Sequence, residues 1–264
     1  MAAHKDHTSN TIEVYFPPKK IISVVPSQTE LLYELGLDEE VIGITHYCIH
    51  PKHWQKTKSI IGGTKKLNLN KIKALNPDLI IANKEENEKD QIEELQKLFP
   101  VWTSNIATLE EALDMIDVIG KLTNKEKKSL SIQNDIKEQF SHFKINTASI
   151  LKPQTSVLYI IWRKPFICVG KDTFISHLLS ICGLQNIQAE LRYPEITTEQ
   201  IQLLNPQYIF LSSEPYPFKT KHITEFQKIC PTAKVILVDG EMFSWYGSRL
   251  LYSPSYFEQL LLNL

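Results

Sequence analysis

Residues 46–54 read His46-Tyr47-Cys48-Ile49-His50-Pro51-Lys52-His53-Trp54. Imidazole and thiolate are the donor types that suit zinc, cobalt or iron. Their spacing matches no established ligand pattern, and Pro51 interrupts any helix that would align His46 with His50. Hydrogen-bonded or solvated histidines are the default reading, and no protein metal site is assigned. A narrower version has His46 as an axial ligand to a metal already held in a macrocycle. Three other segments combine rings with charge, 162–166, 213–218 and 239–249, and a fourth, 83–86, is charged. Aromatic side chains give flat apolar contact, and a few polar groups set orientation. This mixture suits a large planar or macrocyclic ligand better than a sugar or an amino acid. The candidate ligand-binding residues are His46, Tyr47, Trp54, Glu85, Trp162, Arg163, Glu214, Tyr216, Phe243, Trp245, Tyr246 and Arg249. The alternative for any one ring is that it fills a loop core. Arg163 and Arg249 have Glu214, Glu241 and Asp239 as prospective partners, or an anionic group of the ligand.

These segments follow apolar runs that read as strands. Residues 21–25 form a β-branched run that Pro26 ends, and Ser27 with Glu30 has the form of a capping box opening a helix. Gly36 stands where that helix should stop. Strands are expected at 41–44, 79–82, 101–102, 157–161, 208–211 and 235–238. Helices are expected at 69–75 behind Asn68, at 88–98, at 173–181, and after a capping box at Thr197. Further boxes open at Thr108 and Thr123, and a polar helix over 125–144 would run roughly 30 Å. Pro153 marks entry to the second half. Pro77 and Pro206 lie 129 residues apart, and at that offset Ile72 meets Ile201, Asn76 meets Asn205 and Glu85 meets Glu214. One such repeat is a duplication, not a solenoid. The expected fold is α/β: two Rossmann-like lobes with parallel sheets, joined by a long interlobe helix, with a ligand cleft between them. The expected boundaries are 1–106, a helical connector at 107–145, and 146–264. In open α/β sheets ligands sit beyond the carboxyl ends of the strands, which is where the candidate loops fall.

Composition narrows the function. The chain has 264 residues with 29 basic and 30 acidic side chains, so no basic excess points to nucleic acid. No apolar run reaches the ~18 residues that span a bilayer, and no membrane insertion is expected. The first residues show no apolar signal region, which predicts a cytoplasmic protein as written, or a periplasmic or membrane-associated one if a native signal has been removed. Four widely spaced cysteines read as buried reduced thiols. No nucleophile elbow, dinucleotide fingerprint, zinc-protease helix or phosphate loop is present. A metal-chelate or corrinoid processing enzyme or carrier in the cytoplasm is the competing function, with Glu85, Glu214 and Asp239 as acid–base groups. An interaction module is the third.

Residues 20–32, 41–47, 60–63 and 72–81 resemble the characteristic blocks of helical-backbone periplasmic substrate-binding proteins of ABC importers. The cobalamin-binding branch is nearest, with ferric-siderophore and haem binders as relatives. The resemblance covers nearly the whole chain. It implies a monomeric binding protein with no intrinsic cofactor and no catalysis. Its ligand would be cobalamin or another metal chelate, and it would deliver to an ABC permease. It places Tyr47 at a cleft tyrosine of that branch. It also implies that a surface glutamate of each lobe docks on the permease: Glu199 matches the C-lobe position, and Asn70 stands at the N-lobe counterpart.

Overall fold

The computed structural model describes residues 2–147, 150 and 155–264. Pro153 lies outside the described residues. The chain divides into two compact units. The first is Met1–Ile106, Glu110–Ile136 and Trp245–Arg249; the second is Ala107–Leu109, Lys137–Ser244 and Leu250–Leu264. This differs from boundaries drawn at 106 and 145. The long helix is shared between the units, and five residues near the far end of the chain belong to the first unit.

The first unit opens with an antiparallel hairpin, β1 (Ala2–Lys5) and β2 (Thr11–Val14). The sequence reading had no element here. Asp6 closes its turn, its carboxylate accepting from the Thr8 and Asn10 amides, each at 2.8 Å. There follow β3 (Ile21–Ser23), α1 (Pro26–Glu34), β4 (Val41–Ile44), α2 (Trp54–Thr57), β5 (Ser59–Ile60), α3 (Leu69–Leu75), β6 (Leu79–Asn83), α4 (Lys89–Gln96), β7 (Val101–Ser104) and α5 (Leu109–Leu122). The sheet is parallel throughout, in the order β5-β4-β3-β6-β7. All five residues of β6 are buried, as in a sheet covered on both faces.

Local chemistry sets most of these boundaries. Asn68 caps α3, its side chain accepting from the Lys71 amide at 3.0 Å. Asn76 ends that helix in the left-handed region at φ 47°, and its repeat partner Asn205 does the same at φ 43°. Two expected caps are replaced. Pro26 occupies the first turn of α1 and no side chain caps it, so Glu30 is available for a distant partner. The Thr123 hydroxyl donates backward to the Ile119 carbonyl at 2.7 Å, closing α5 and not opening the next helix.

That next helix, α6 (Glu126–Thr147), has 22 residues; those up to Ile136 belong to the first unit and the rest to the second. Within the first unit α5 and α6 approach at Gly120. A Cβ there would stand 2.0 Å from the Ser129 hydroxyl oxygen and 2.5 Å from its Cβ.

The second unit continues with β8 (Thr155–Trp162), β9 (Ile167–Cys168), α7 (Phe174–Ile181), β10 (Leu184–Asn186), α8 (Thr198–Leu204), β11 (Tyr208–Ser212), α9 (Thr220–Ile229), β12 (Lys234–Val238), α10 (Gly240–Ser244) and α11 (Ser253–Leu262). Its strands run β10-β8-β11-β12 in parallel, with β9 antiparallel on β8. The expected box at Thr197 is complete: its hydroxyl accepts from the Gln200 amide, and Gln200 reaches back to the Thr197 amide. Leu158, Ile160, Ile209, Leu211 and Phe226 form one core. All four cysteines are buried and free.

Gly120→Ala is expected to lower stability by roughly 1–3 kcal/mol, the range for forcing a methyl group into a filled contact. Thermal unfolding checks this. A midpoint equal to that of the parent would mean that α5 and α6 separate at no cost.

Candidate functional site

In the first unit the carboxyl ends of the strands carry loops held by buried side chains. Asn83, the last residue of β6, accepts from the Glu85 and Glu86 amides at 2.8 and 3.0 Å, which turns the chain. Its Nδ2 donates to the Ser104 hydroxyl at 2.9 Å, and the buried Gln28 amide donates to the same oxygen. Asn87 accepts from the Asn83 amide at 2.9 Å and donates to the Val24 and Thr64 carbonyls. The loop carrying Glu85 and Glu86 is therefore tied to β7 and to the segments that follow β3 and β5. Burial raises the Glu86 carboxyl above its usual range, against the lowering effect of Lys65.

After β4 the four metal-ligand types diverge. Cys48 is buried, with the Thr29 and Thr45 hydroxyls 3.0 and 3.1 Å from its sulfur, and burial raises its thiol pKa. The exposed His46 ring lies 4.1 Å from the Tyr47 ring. His50 meets Trp245 edge-on at 5.5 Å, and His53 meets Tyr33 at 5.6 Å. Among the described residues no group of three His, Cys, Asp or Glu side chains can hold a metal ion. Tyr47 is 56% exposed. Gly63 lets His46 and Tyr47 lie close, since a Cβ there would be 2.9 Å from the His46 ring.

Trp54 does not join that group. It is fully buried, and its indole donates to Asp38 at 2.5 Å. That bond is the largest influence holding the Asp38 carboxyl low. Trp245, Tyr246 and Arg249 are likewise engaged within the first unit. The Arg249 fork bonds both Glu30 carboxylate oxygens at 2.6 and 3.1 Å, with side chains only 13% and 12% exposed. Its guanidinium lies 5.1 Å from the Trp245 ring. Trp245 and Tyr246 are buried. A Cβ on Gly247 would stand 2.6 Å from the Ser27 carbonyl oxygen, so this segment's backbone rests on the first turn of α1. Glu30 was not among the partners expected for Arg249: the two residues are 219 positions apart.

In the second unit, Arg163 also takes an unexpected partner. It bonds Glu225 on α9 through Nε and Nη2, at 2.9 to 3.2 Å. Glu214 accepts from the Ser244 hydroxyl at 2.6 Å. Phe243 is fully buried, 4.6 Å from Phe257 and 5.4 Å from Tyr159. Trp162, 38% exposed, meets the half-buried Tyr216 edge-on at 5.8 Å. His222, absent from the sequence-based candidates, packs beside Tyr216. Its position three residues into a helix start is a signal it shares with ordinary capping residues. Glu199 is exposed on α8 and accepts from the Thr198 hydroxyl; backbone and threonine hydrogen bonds hold its carboxyl low. Asn70 is exposed on α3.

The family described as periplasmic binding protein matches residues 21–230. The chain belongs to this family. A vitamin B12-binding protein of Vibrio cholerae serotype O1 is 28% identical over 200 residues, spanning 75% of this chain and 71% of that protein. An uncharacterised ABC transporter substrate-binding lipoprotein of Bacillus subtilis strain 168 is 30% identical over 211 residues, 77% of this chain and 67% of that one. Among solved structures, a periplasmic haem-binding protein of Pseudomonas aeruginosa superposes with a TM-score of 0.82 at 18% identity, covering 93% of each chain. The periplasmic binding protein fold is thus the two-unit parallel α/β arrangement described above.

Arg249→Ala is expected to cost about 3 kcal/mol or more, because it removes the two-pronged partner of a nearly buried carboxylate. Arg249→Lys should restore only part of this, since an ammonium lacks the two-pronged geometry. Urea denaturation is the check. An alanine variant as stable as the parent would return Arg249 to the ligand-contacting set.

Proposed function

We propose that the protein is the substrate-binding component of an ABC importer and holds a metal chelate without converting it. The candidate ligands are cobalamin or another corrinoid, haem, and a ferric siderophore. The observation that carries this reading is the family match over residues 21–230. The ligand class is supported by the names of the relatives, which include binders of vitamin B12 and of haem. It is also supported by the rings left exposed after the buried ones are set aside. Tyr47 is the proposed aromatic contact of the first unit, and Trp162 with Tyr216 that of the second. His46 beside Tyr47 after β4, and Glu85 after β6, are the proposed polar groups at the carboxyl edge of that sheet.

No helix among the described residues is long and apolar enough to cross a membrane. Contact with a permease is accordingly proposed through exposed side chains, with Glu199 on the second unit and Asn70 at the equivalent place on the first. The proposed docking surface carries one carboxylate where a pair would be expected.

The test is visible absorption of the purified protein after incubation with hydroxocobalamin, haem and a ferric siderophore in turn, followed by desalting. One chromophore retained at about one per chain is the expected result, by analogy with pockets that bury most of a single ligand. Tyr47→Ala and Trp162→Ala should each weaken retention by about thirtyfold, the effect of losing an aromatic anchor worth ~2 kcal/mol. Retention of none of the three would sink the metal-chelate reading.

A further inference from the structure

The loop after β11 and the first turn of α9 hold a hydrogen-bond arrangement whose polarity follows from the bonds around it. The Nδ1 of His222 accepts the Lys219 backbone N–H at 2.8 Å, so Nδ1 carries no proton. A neutral imidazole then has its proton on Nε2, and Nε2 lies 3.4 Å from the Tyr216 hydroxyl oxygen. His222 is 5% exposed and is flanked by Tyr216 and Phe218, with ring centroids at 5.5 and 5.4 Å. Burial, Lys221 and Arg163 hold His222 toward its neutral form, against the opposing charge of Glu225. The Arg163 guanidinium, itself clamped on Glu225, places a positive charge in electrostatic contact with the same phenol. The His222 Nε2–H therefore faces the Tyr216 oxygen as a donor. A phenol has a single hydrogen, and with its oxygen accepting, that hydrogen has no acceptor among the described residues.

We propose that Tyr216 is a pre-set hydrogen-bond donor to a carbonyl or carboxylate oxygen on the rim of the ligand, with His222 as the positioning residue that sets its direction and Arg163 as the adjacent positive charge. The inference deepens the binding reading above and rests on it for the ligand's class. The shared chemistry is an oxygen acceptor beside a flat surface, with Trp162 supplying the facing ring. Amide carbonyls of a corrinoid and propionates of a haem both provide it. A structural role for His222 predicts something different: a cap needs only an acceptor at Nδ1, whereas direction-setting also needs a donor at Nε2.

Substitutions separate the two roles. Both Gln and Glu at position 222 can accept the Lys219 amide, but only Gln can also donate to Tyr216. With hydroxocobalamin and haem as probes, Tyr216→Phe and His222→Glu are each expected to weaken binding about tenfold or more, as for loss of a hydrogen bond within a charged network. His222→Gln should stay within about threefold of the parent. A loss confined to haem would identify a carboxylate as the acceptor, and a loss with both probes an oxygen common to amide and carboxylate. Parent-like binding by Tyr216→Phe, or equal damage from His222→Gln and His222→Glu at matched melting temperatures, would overturn the proposal. If the parent protein retains neither probe, the site is judged alone, by ring-nitrogen NMR of His222 in the free protein during an acetate titration. A proton on Nε2, with shifts on acetate addition that Tyr216→Phe abolishes, supports the donor site. A proton on Nδ1, or no response to acetate, overturns it.

Discussion

Parallel strands all finish at one edge of their sheet, and there the last peptide groups leave the ladder without a strand to pair with. Buried peptide groups left without partners are costly. In the first unit the solution is a set of short polar side chains just below the surface. Asn83, Asn87, Ser104 and Gln28 satisfy one another and the adjoining backbone. Thr29 and Thr45 surround the Cys48 sulfur in the same way. The second unit uses Ser213, whose hydroxyl accepts the Gly240 amide at 2.9 Å. The loops that present Tyr47 and Glu85 are thus part of the hydrogen-bonded interior at their bases and open only at their tips. A binding surface built this way is pre-organised, which lowers the ordering cost of taking up a ligand.

Most of the fold could be read from local pattern. The strands are short, mostly apolar runs, as a buried parallel sheet requires. Asn68, Asn76, Thr197 and Asn205 act at the helix ends where their types predict. The failures also have local causes. Pro26 takes the first turn of α1 and displaces the expected capping by Ser27. Thr123 serves the helix before it, a choice that a threonine between two helices does not reveal. The N-terminal hairpin is short, polar and closed by Asp6 rather than by a glycine turn, so its signal was weak.

The site was legible only in part, because residue type locates a loop but not its partners. Five prominent candidates, Trp54, Phe243, Trp245, Tyr246 and Arg249, are buried or engaged in the interior, and each is aromatic or pairs with an aromatic. The pairs Arg249–Glu30 and Arg163–Glu225 join residues remote in sequence, beyond the reach of any window. Cleft and core draw on the same residue types, so exposure decides between them. His222 escaped notice because its sequence context is that of a helix start, and its importance comes from the ring beside it.

The assignment of Trp245–Arg249 to the first unit has a consequence for the order of events on the ribosome. Glu30 is made early, and its guanidinium partner follows 219 residues later. At bacterial-like synthesis rates of ~5–20 residues per second, that interval is roughly 10–40 s. Throughout it, Glu30 lacks the Arg249 counter-charge and the first turn of α1 lacks the covering backbone of Gly247. Folding that proceeds from the N-terminus therefore cannot finish the first unit before almost the whole polypeptide has emerged. The last-made segment acts as a closing stitch, and a nascent chain cut short before it would carry an N-terminal unit with an open seam.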